Sequence, residues 1–262
     1  MVTRDEITKF VETTIGADIL ERAKTEDIYG NGVQVVGNEK VKKIALGVSC
    51  NLDFLDEAVK ADADYCIFHH GLDLTSHNLV YSRLHPAIQK RLEVIFAEEL
   101  TVAGYHYSLD VQPAFGNNAT LIKLLGARRL EIPYSSGWGW VAEFDNPVDT
   151  QLIAKKLADI TSHDVFSVYG GPSKVKRLGV CTGAAKPYDK EIWEIIDKGI
   201  ELHIAGEIAE PGPAFAKEMG FNYFAAGHYA TEVFGVQELG KKLKEHFGSK
   251  LEVEFIDIPN SL

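Results

Sequence analysis

The chain has 262 residues, of which 45% are hydrophobic and 25% charged, an ordinary globular composition with length enough for one large domain or two intertwined ones. Its formal net charge of −11 argues against a surface that tracks a phosphate backbone, so direct nucleic-acid binding is not expected. No apolar stretch approaches the roughly 20 residues that span a bilayer, and Met1 to Glu6 show no basic segment with an apolar run behind it. A cytoplasmic protein without a membrane anchor is expected.

In chain order, Val41 to Cys50 reads as a strand, Phe54 to Ala63 as a helix with Leu55, Ala58 and Val59 on one face, and Tyr65 to Phe68 as a second strand ending at His69-His70-Gly71. Gly104 to Asp110 reads as extended chain, with His106, Ser108 and Asp110 alternating onto one face. Gly116-Asn117-Asn118 either binds a ligand through its amides or caps a helix from Ala119 to Leu125. Gly139 to Phe144 is a candidate strand, Asn146-Pro147 a turn, and Asp149 to Ile160 a helix capped by Asp149 or Thr150.

The second half restates the first. Val175 to Thr182 resembles the Val41 strand, Pro213 to Met219 reads as a helix, and Asn222 to Ala226 as a strand running into Gly227-His228. Tyr65 and His70 match Tyr223 and His228 at a common offset, which suggests an internal duplication. The expected fold is α/β: two linked lobes with mixed sheets, residues 1–130 carrying the histidine pair and residues 131–262 the second lobe, with the C-terminal segment completing the site.

Two consecutive histidines at a strand end point to opposite sides and would more naturally reach two neighbouring ions than grip one. His106 and Asp110 add a His-x-x-x-Asp step, and His228 and Glu232 a His-x-x-x-Glu step that shares one face if a helix starts there. This mixed set of imidazoles and carboxylates suits Zn, Mn, Fe, Co or Ni better than Ca or Cu(I), and exceeds the four ligands of a structural zinc. His77 and His85 in a polar segment, His163, His203 and His246 read as surface or core residues. Cys50, Cys66 and Cys181 are widely spaced and read as buried reduced thiols. Trp138 and Trp140 either stack on a purine ring or pack in a core or interface.

His69-His70-Gly71, Gly104-Tyr105-His106 with Leu109-Asp110, Gly116 to Ala119, Gly206-Glu207 and Ala226 to Glu232 resemble the Nif-three-like dinuclear metal family, also labelled GTP cyclohydrolase I type 2. The likeness runs from Asn31 to Asn260 and is strongest to the short bacterial form. It implies two α/β domains with two divalent cations in the cleft between them, and a homohexameric ring. It also implies His69, His70, Asp110, His228 and Glu232 as metal ligands, with Asp110 or Glu232 bridging and His106 as a sixth ligand or a supporting group. Leu72 to Asn78 departs from the bacterial pattern, which puts the substrate in doubt.

Paired cations activate water and clamp attacking and leaving oxygens, so the leading expectation is a metal-dependent hydrolase of a small phosphate- or purine-bearing molecule. Glu207, Glu210 and His106 are the candidates for proton transfer; the alternative for Glu207 and Glu210 is a solvated strand end closed by Pro211. No complete Gly-x-x-x-x-Gly-Lys-Ser/Thr phosphate loop is present. The alternative is a metal-binding scaffold, or a delivery or regulatory protein, without turnover.

Overall fold

A computed structural model of the protein describes residues 1–73, 83–188 and 190–262. His77 and residues 74–78 of the divergent segment after the histidine pair lie outside the described residues. The chain divides into two compact units, Met1–Gln112 with Gly235–Ile258 and Pro113–Phe234 with Pro259–Leu262. Among the described residues no helix is long and apolar enough to cross a membrane.

The first unit contains β1 (Val2–Thr3), α1 (Arg4–Ile15), α2 (Ala17–Glu26), β2 (Asn31–Val35), β3 (Lys40–Val41), β4 (Lys43–Ser49), α3 (Leu52–Lys60), β5 (Tyr65–His70), α4 (Pro86–Ala97), β6 (Thr101–Tyr105) and α5 (Tyr107–Val111). The second contains α6 (Asn117–Leu125), β7 (Arg128–Tyr134), β8 (Gly139–Asp149), α7 (Thr150–Thr161), β9 (Phe166–Tyr169), β10 (Lys174–Val180), α8 (Lys190–Asp197), β11 (Leu202–Ala205), α9 (Gly212–Met219) and β12 (Asn222–Ala225). Helix α10 (His228–Phe247) then begins in the second unit and passes at Gly235 to the first, which ends with β13 (Glu252–Phe255).

Local chemistry sets the helix starts. Thr3 and Glu6 form a reciprocal capping box at α1. Asn51 accepts from Phe54 N at 2.9 Å, so α3 begins at Leu52, two residues before the start read from the sequence. Asp149 caps α7, one of the two caps expected. Asn146-Pro147 forms no turn: β8 runs through to Asp149, and a register shift opposite Val175 and Arg177 leaves residues 144–147 bulged, where Pro147 needs no ladder N–H.

Strands β1 and β3 pair antiparallel in a small sheet of their own, and the two larger sheets are mixed. The first has the order β13-β4-β5-β6-β2, with β4, β5 and β6 parallel and β2 antiparallel to β6. The second has the order β7-β8-β10-β11-β12-β9, with β10, β11 and β12 parallel and β9 antiparallel to β12. Four strands therefore follow the same plan in both, and β6 corresponds to β12. Topology matches Tyr65–His70 with Leu202–Ala205, so the expected pairing of Tyr65 with Tyr223 and His70 with His228 does not hold. By strand order the place of His228 after β12 corresponds to that of His106 after β6, and the two stretches read His106-Tyr107-Ser108-Leu109-Asp110 and His228-Tyr229-Ala230-Thr231-Glu232.

Strand alternation fills both faces of the second sheet. Leu178, Val180, Leu202, Ile204 and Phe224 enter one buried cluster, while Val141, Ala205 and Tyr223 enter another. In the first unit Ala45, Cys66, Phe68 and Val102 pack with Phe54, Leu55 and Ala58 of α3 and Ile95 of α4. Cys50, Cys66 and Cys181 are buried free thiols.

Candidate metal centre

Parallel strands deliver their next residues at their carboxyl ends, where open α/β sheets place ligands. In the first unit that edge carries His69 and His70 at the end of β5, and His106 immediately after β6. The stretch after His106 is helical, not extended as alternation suggested. His106 stands at the N-cap position of α5, and Leu109 N and Asp110 N both donate to its carbonyl. Asp110 thus joins His106 through a helical turn rather than through strand periodicity.

The imidazoles of this unit converge. Ring centroids of His69 and His70 are 4.6 Å apart, His69 and His106 4.9 Å, and His70 and His106 5.1 Å. Each ring offers a nitrogen within 4.8 Å of those of the other two. The alternation expected to separate His69 from His70 fails to do so at the last two positions of the strand. His69 is wholly buried, and its Nε2 lies 3.6 Å from Asp110 Oδ1.

Each ring is held from behind through Nδ1. His69 Nδ1 lies 3.3 Å from the carbonyl of Tyr105, and His106 Nδ1 lies 2.9 and 3.0 Å from the two oxygens of Asp27. A carbonyl and a carboxylate only accept, so both Nδ1 atoms are protonated and the Nε2 atoms are the basic ones in the neutral rings. His70 Nδ1 lies 3.1 Å from Ser49 Oγ, at the end of the neighbouring strand. Burial pushes the Asp27 carboxyl up, but the hydrogen bond and charge of His106, with Tyr29 N and Asn31, outweigh it and hold the group below the usual range.

Close backbone packing fixes the exit from the histidine pair. A Cβ on Gly71 would fall 2.0 Å from Gln34 Oε1 and 3.0 Å from Gly104 Cα, so a side chain at that position would have to displace Gln34. Gln34 accepts from Leu72 N at 2.8 Å and donates to Leu72 O at 2.7 Å.

The second unit builds a smaller set. Gly227, in the left-handed region at φ 90°, turns the chain from β12 into α10, and the His163 ring lies where a Cβ would be. His228 opens the helix and Glu232 follows one turn later, with His228 Nε2 3.2 Å from Glu232 Oε2. His228 Nδ1 donates to Glu207 Oε1 at 2.6 Å, and Glu207 is also paired with Lys186. Burial pulls the His228 pKa down, yet hydrogen bonds and charge from Glu232 and Glu207 outweigh it and push it up to about 9. Burial pushes Glu207 up, but Lys186 and His228 more than reverse this, leaving it below the ordinary range.

Backbone fit is tight here as well. Gly183 follows β10 with φ 65°, and a Cβ on it would meet Glu232 Oε1 at 2.0 Å. Gly183 N donates to Thr231 Oγ1 at 3.1 Å, while buried Asn118 donates to Trp138 O and accepts from Thr182 N, both at 2.8 Å. That amide of the Gly116-Asn117-Asn118 motif is committed to backbone groups around the Gly183 loop.

The other candidates lie elsewhere. Glu210 is exposed on the turn before α9. His85 caps α4, His246 stacks on Phe10, and buried His203 bridges Tyr134 Oη and Ala185 O. Trp138 is buried and half-buried Trp140 lies under the Arg129 guanidinium at 4.4 Å. Sequence reasoning missed Asp27, Ser49, Lys186 and Gly183. Asp27 is 79 residues from its histidine and Ser49 is 21 residues from His70, so no local spacing announces either.

Nitrogen and oxygen donors at this density, with the ring tautomers set from behind, are the chemistry of a borderline divalent metal site. The fold and these donors define a mixed α/β protein with a candidate metal-binding group. Residues 2–261 match the family Duf34/NIF3 (NGG1p interacting factor 3), and the chain belongs to that family. It is 36% identical over 245 residues to the GTP cyclohydrolase 1 type 2 homolog of Salmonella typhimurium, covering 93% of this chain and 95% of that protein. The homolog of the same name from Haemophilus influenzae is 32% identical over 252 residues, 92% of this chain and 94% of that protein. The solved structure of protein ybgI, described as of unknown function, superposes over 100% of both chains with a TM-score of 0.86 at 31% identity.

Proposed function

We propose that the chain binds two divalent cations and uses them to hydrolyse a small phosphate- or purine-bearing molecule. The carrying observation is the convergence of His69, His70 and His106, each ring supported through Nδ1. His69, His70 and Asp110 of the first unit and His228 and Glu232 of the second serve as ligands, His106 supplies a further nitrogen, and Asp110 or Glu232 bridges. Zn, Mn, Fe, Co and Ni all suit these donors. Cations held this way supply Lewis acidity and lower the pKa of water toward neutrality.

Among the proton-transfer candidates, Glu207 is better placed than exposed Glu210 because it touches His228 Nδ1. The name shared by the relatives makes GTP the first substrate to assay, and the resemblance adds a homohexamer as the assembled form. A metal scaffold or delivery protein is the competing reading, and turnover separates the two.

The test loads the purified chain with Mn, Zn, Fe or Co and assays GTP, other nucleotides and phosphoesters alongside His69→Ala and Glu232→Ala. About two metals per chain are expected in the wild type, with turnover that both variants lose. At most one metal per chain under saturating conditions contradicts the dinuclear centre. Full loading with no turnover beyond that of the variants contradicts the hydrolase.

A further inference from the structure

The proton on His106 has a keeper that no sequence motif announces. Asp27 lies after α2 and before β2, its side chain wholly buried, with both oxygens within 3.0 Å of His106 Nδ1. It also accepts from Tyr29 N at 2.9 Å, from Asn31 Nδ2 at 2.9 Å and from Tyr107 N at 3.0 Å. These donors hold the carboxylate ionised and fixed in place, so the imidazole adapts to it rather than the reverse. Asn31 in turn accepts from Ser108 Oγ at 2.7 Å, tying the start of β2 to the helix that carries Asp110.

On the metal-binding reading of this site, we infer that Asp27 is a positioning residue that locks His106 as the Nδ1-protonated tautomer and so makes its Nε2 a metal ligand. An anionic acceptor at Nδ1 both excludes the other tautomer and raises the donor strength of Nε2. The role removes His106 from proton transfer, because one nitrogen is committed to Asp27 and the other to the cation. The second unit also sets a carboxylate at Nδ1, from a different place. Glu207 meets Nδ1 of His228, the topological counterpart of His106, but comes from the end of the adjacent strand.

Asp27→Asn keeps the size of the side chain and removes its charge, and its amide nitrogen can donate to Nδ1. Zinc affinity, measured by competition with a chromophoric chelator, is expected to fall about 10- to 100-fold in Asp27→Asn. In a His106→Ala background the same substitution is expected to add nothing, because Asp27 acts through that ring. A folding role through Tyr29, Asn31 and Tyr107 predicts an equal further loss in that background, and this result overturns the inference. So does Asp27→Asn with wild-type affinity, which leaves the metal site itself standing; a wild type that binds no zinc sinks the metal reading instead. Metal-free protein gives an independent readout. With the ring neutral, the imidazole nitrogen spectrum should show the His106 proton on Nδ1 in the wild type and shifted toward Nε2 in Asp27→Asn. An Nε2-protonated ring in the wild type contradicts the assignment.

Discussion

In the first unit the histidine after the third parallel strand, His106, leans on Asp27, a wholly buried carboxylate shared with three other protein donors. In the second unit the equivalent histidine, His228, leans on Glu207, a quarter-exposed carboxylate shared with Lys186. One acceptor comes from before the sheet begins and the other from the end of the neighbouring strand. The shared feature is a carboxylate at Nδ1 and not the residue that supplies it, so each unit meets the ring with whatever carboxylate its chain places there.

A second contrast lies deeper in the sheets. Gly47 and Gly179 hold corresponding places on β4 and β10, and each has an aromatic ring where a Cβ would go, Phe54 in one case and Tyr134 in the other. The strand partner of Gly47 is Phe68, whereas that of Gly179 is His203. His203 Nε2 donates to Ala185 O at 2.9 Å, so its Nδ1 accepts from Tyr134 Oη at 2.7 Å and the ring is neutral. Burial lowers its pKa from 6.5 to about 4.

That difference predicts which unit fails first in acid. Above pH 6.5 the ring is neutral in both folded and unfolded chains and costs nothing. As pH falls from 6.5 to about 4 only the unfolded chain takes up the proton, which removes about 3 kcal/mol of stability. Urea unfolding across this range is expected to lose that slope in His203→Gln. An unchanged pH dependence in the variant would show that other groups set the acid limit.

A smaller effect is expected at the loops after the first parallel strands. Gly183→Ala places a Cβ against Glu232 and forces a side chain into the left-handed region, for a cost of about 2 kcal/mol. Metal affinity should fall at least tenfold while the first unit keeps its fold, and wild-type affinity would mean that Glu232 does not need its observed position. The corresponding strand end of the first unit carries side chains and uses one of them. Ser49→Ala, which removes only the contact to His70, is expected to lower affinity a few-fold, about 1 kcal/mol. If Ser49→Ala proves as damaging as Gly183→Ala, the two strand ends differ less than their geometry indicates.

Much of the α/β order was legible in the sequence, and so was the placing of histidines at strand ends, but the approach of the His69 and His70 rings was not, because alternation puts them on opposite sides. Helix α5 was not, since its five residues are too few to show helical periodicity, and alternation of His106, Ser108 and Asp110 mimics a strand. Pairing Tyr65 with Tyr223 failed for a related reason. Similar residues at a fixed offset do not report strand order, whereas the parallel and antiparallel ladders do. The return of Glu252–Phe255 to pair with Lys43–Leu46 rests on contacts some 200 residues apart, which no local pattern encodes. Asp27 and Ser49 were invisible for the same reason.

The central claim is that this donor set holds metal through Nε2 atoms of rings fixed at Nδ1. Anomalous diffraction from crystals equilibrated with zinc or manganese, collected at the metal edge, tests it directly. The account predicts two peaks per chain within bonding distance of donors of this set, with the Nε2 atoms of His69 and His106 among the contacts. Peaks bound through Nδ1, or confined to other residues while His69 and His106 stay bare, would contradict it.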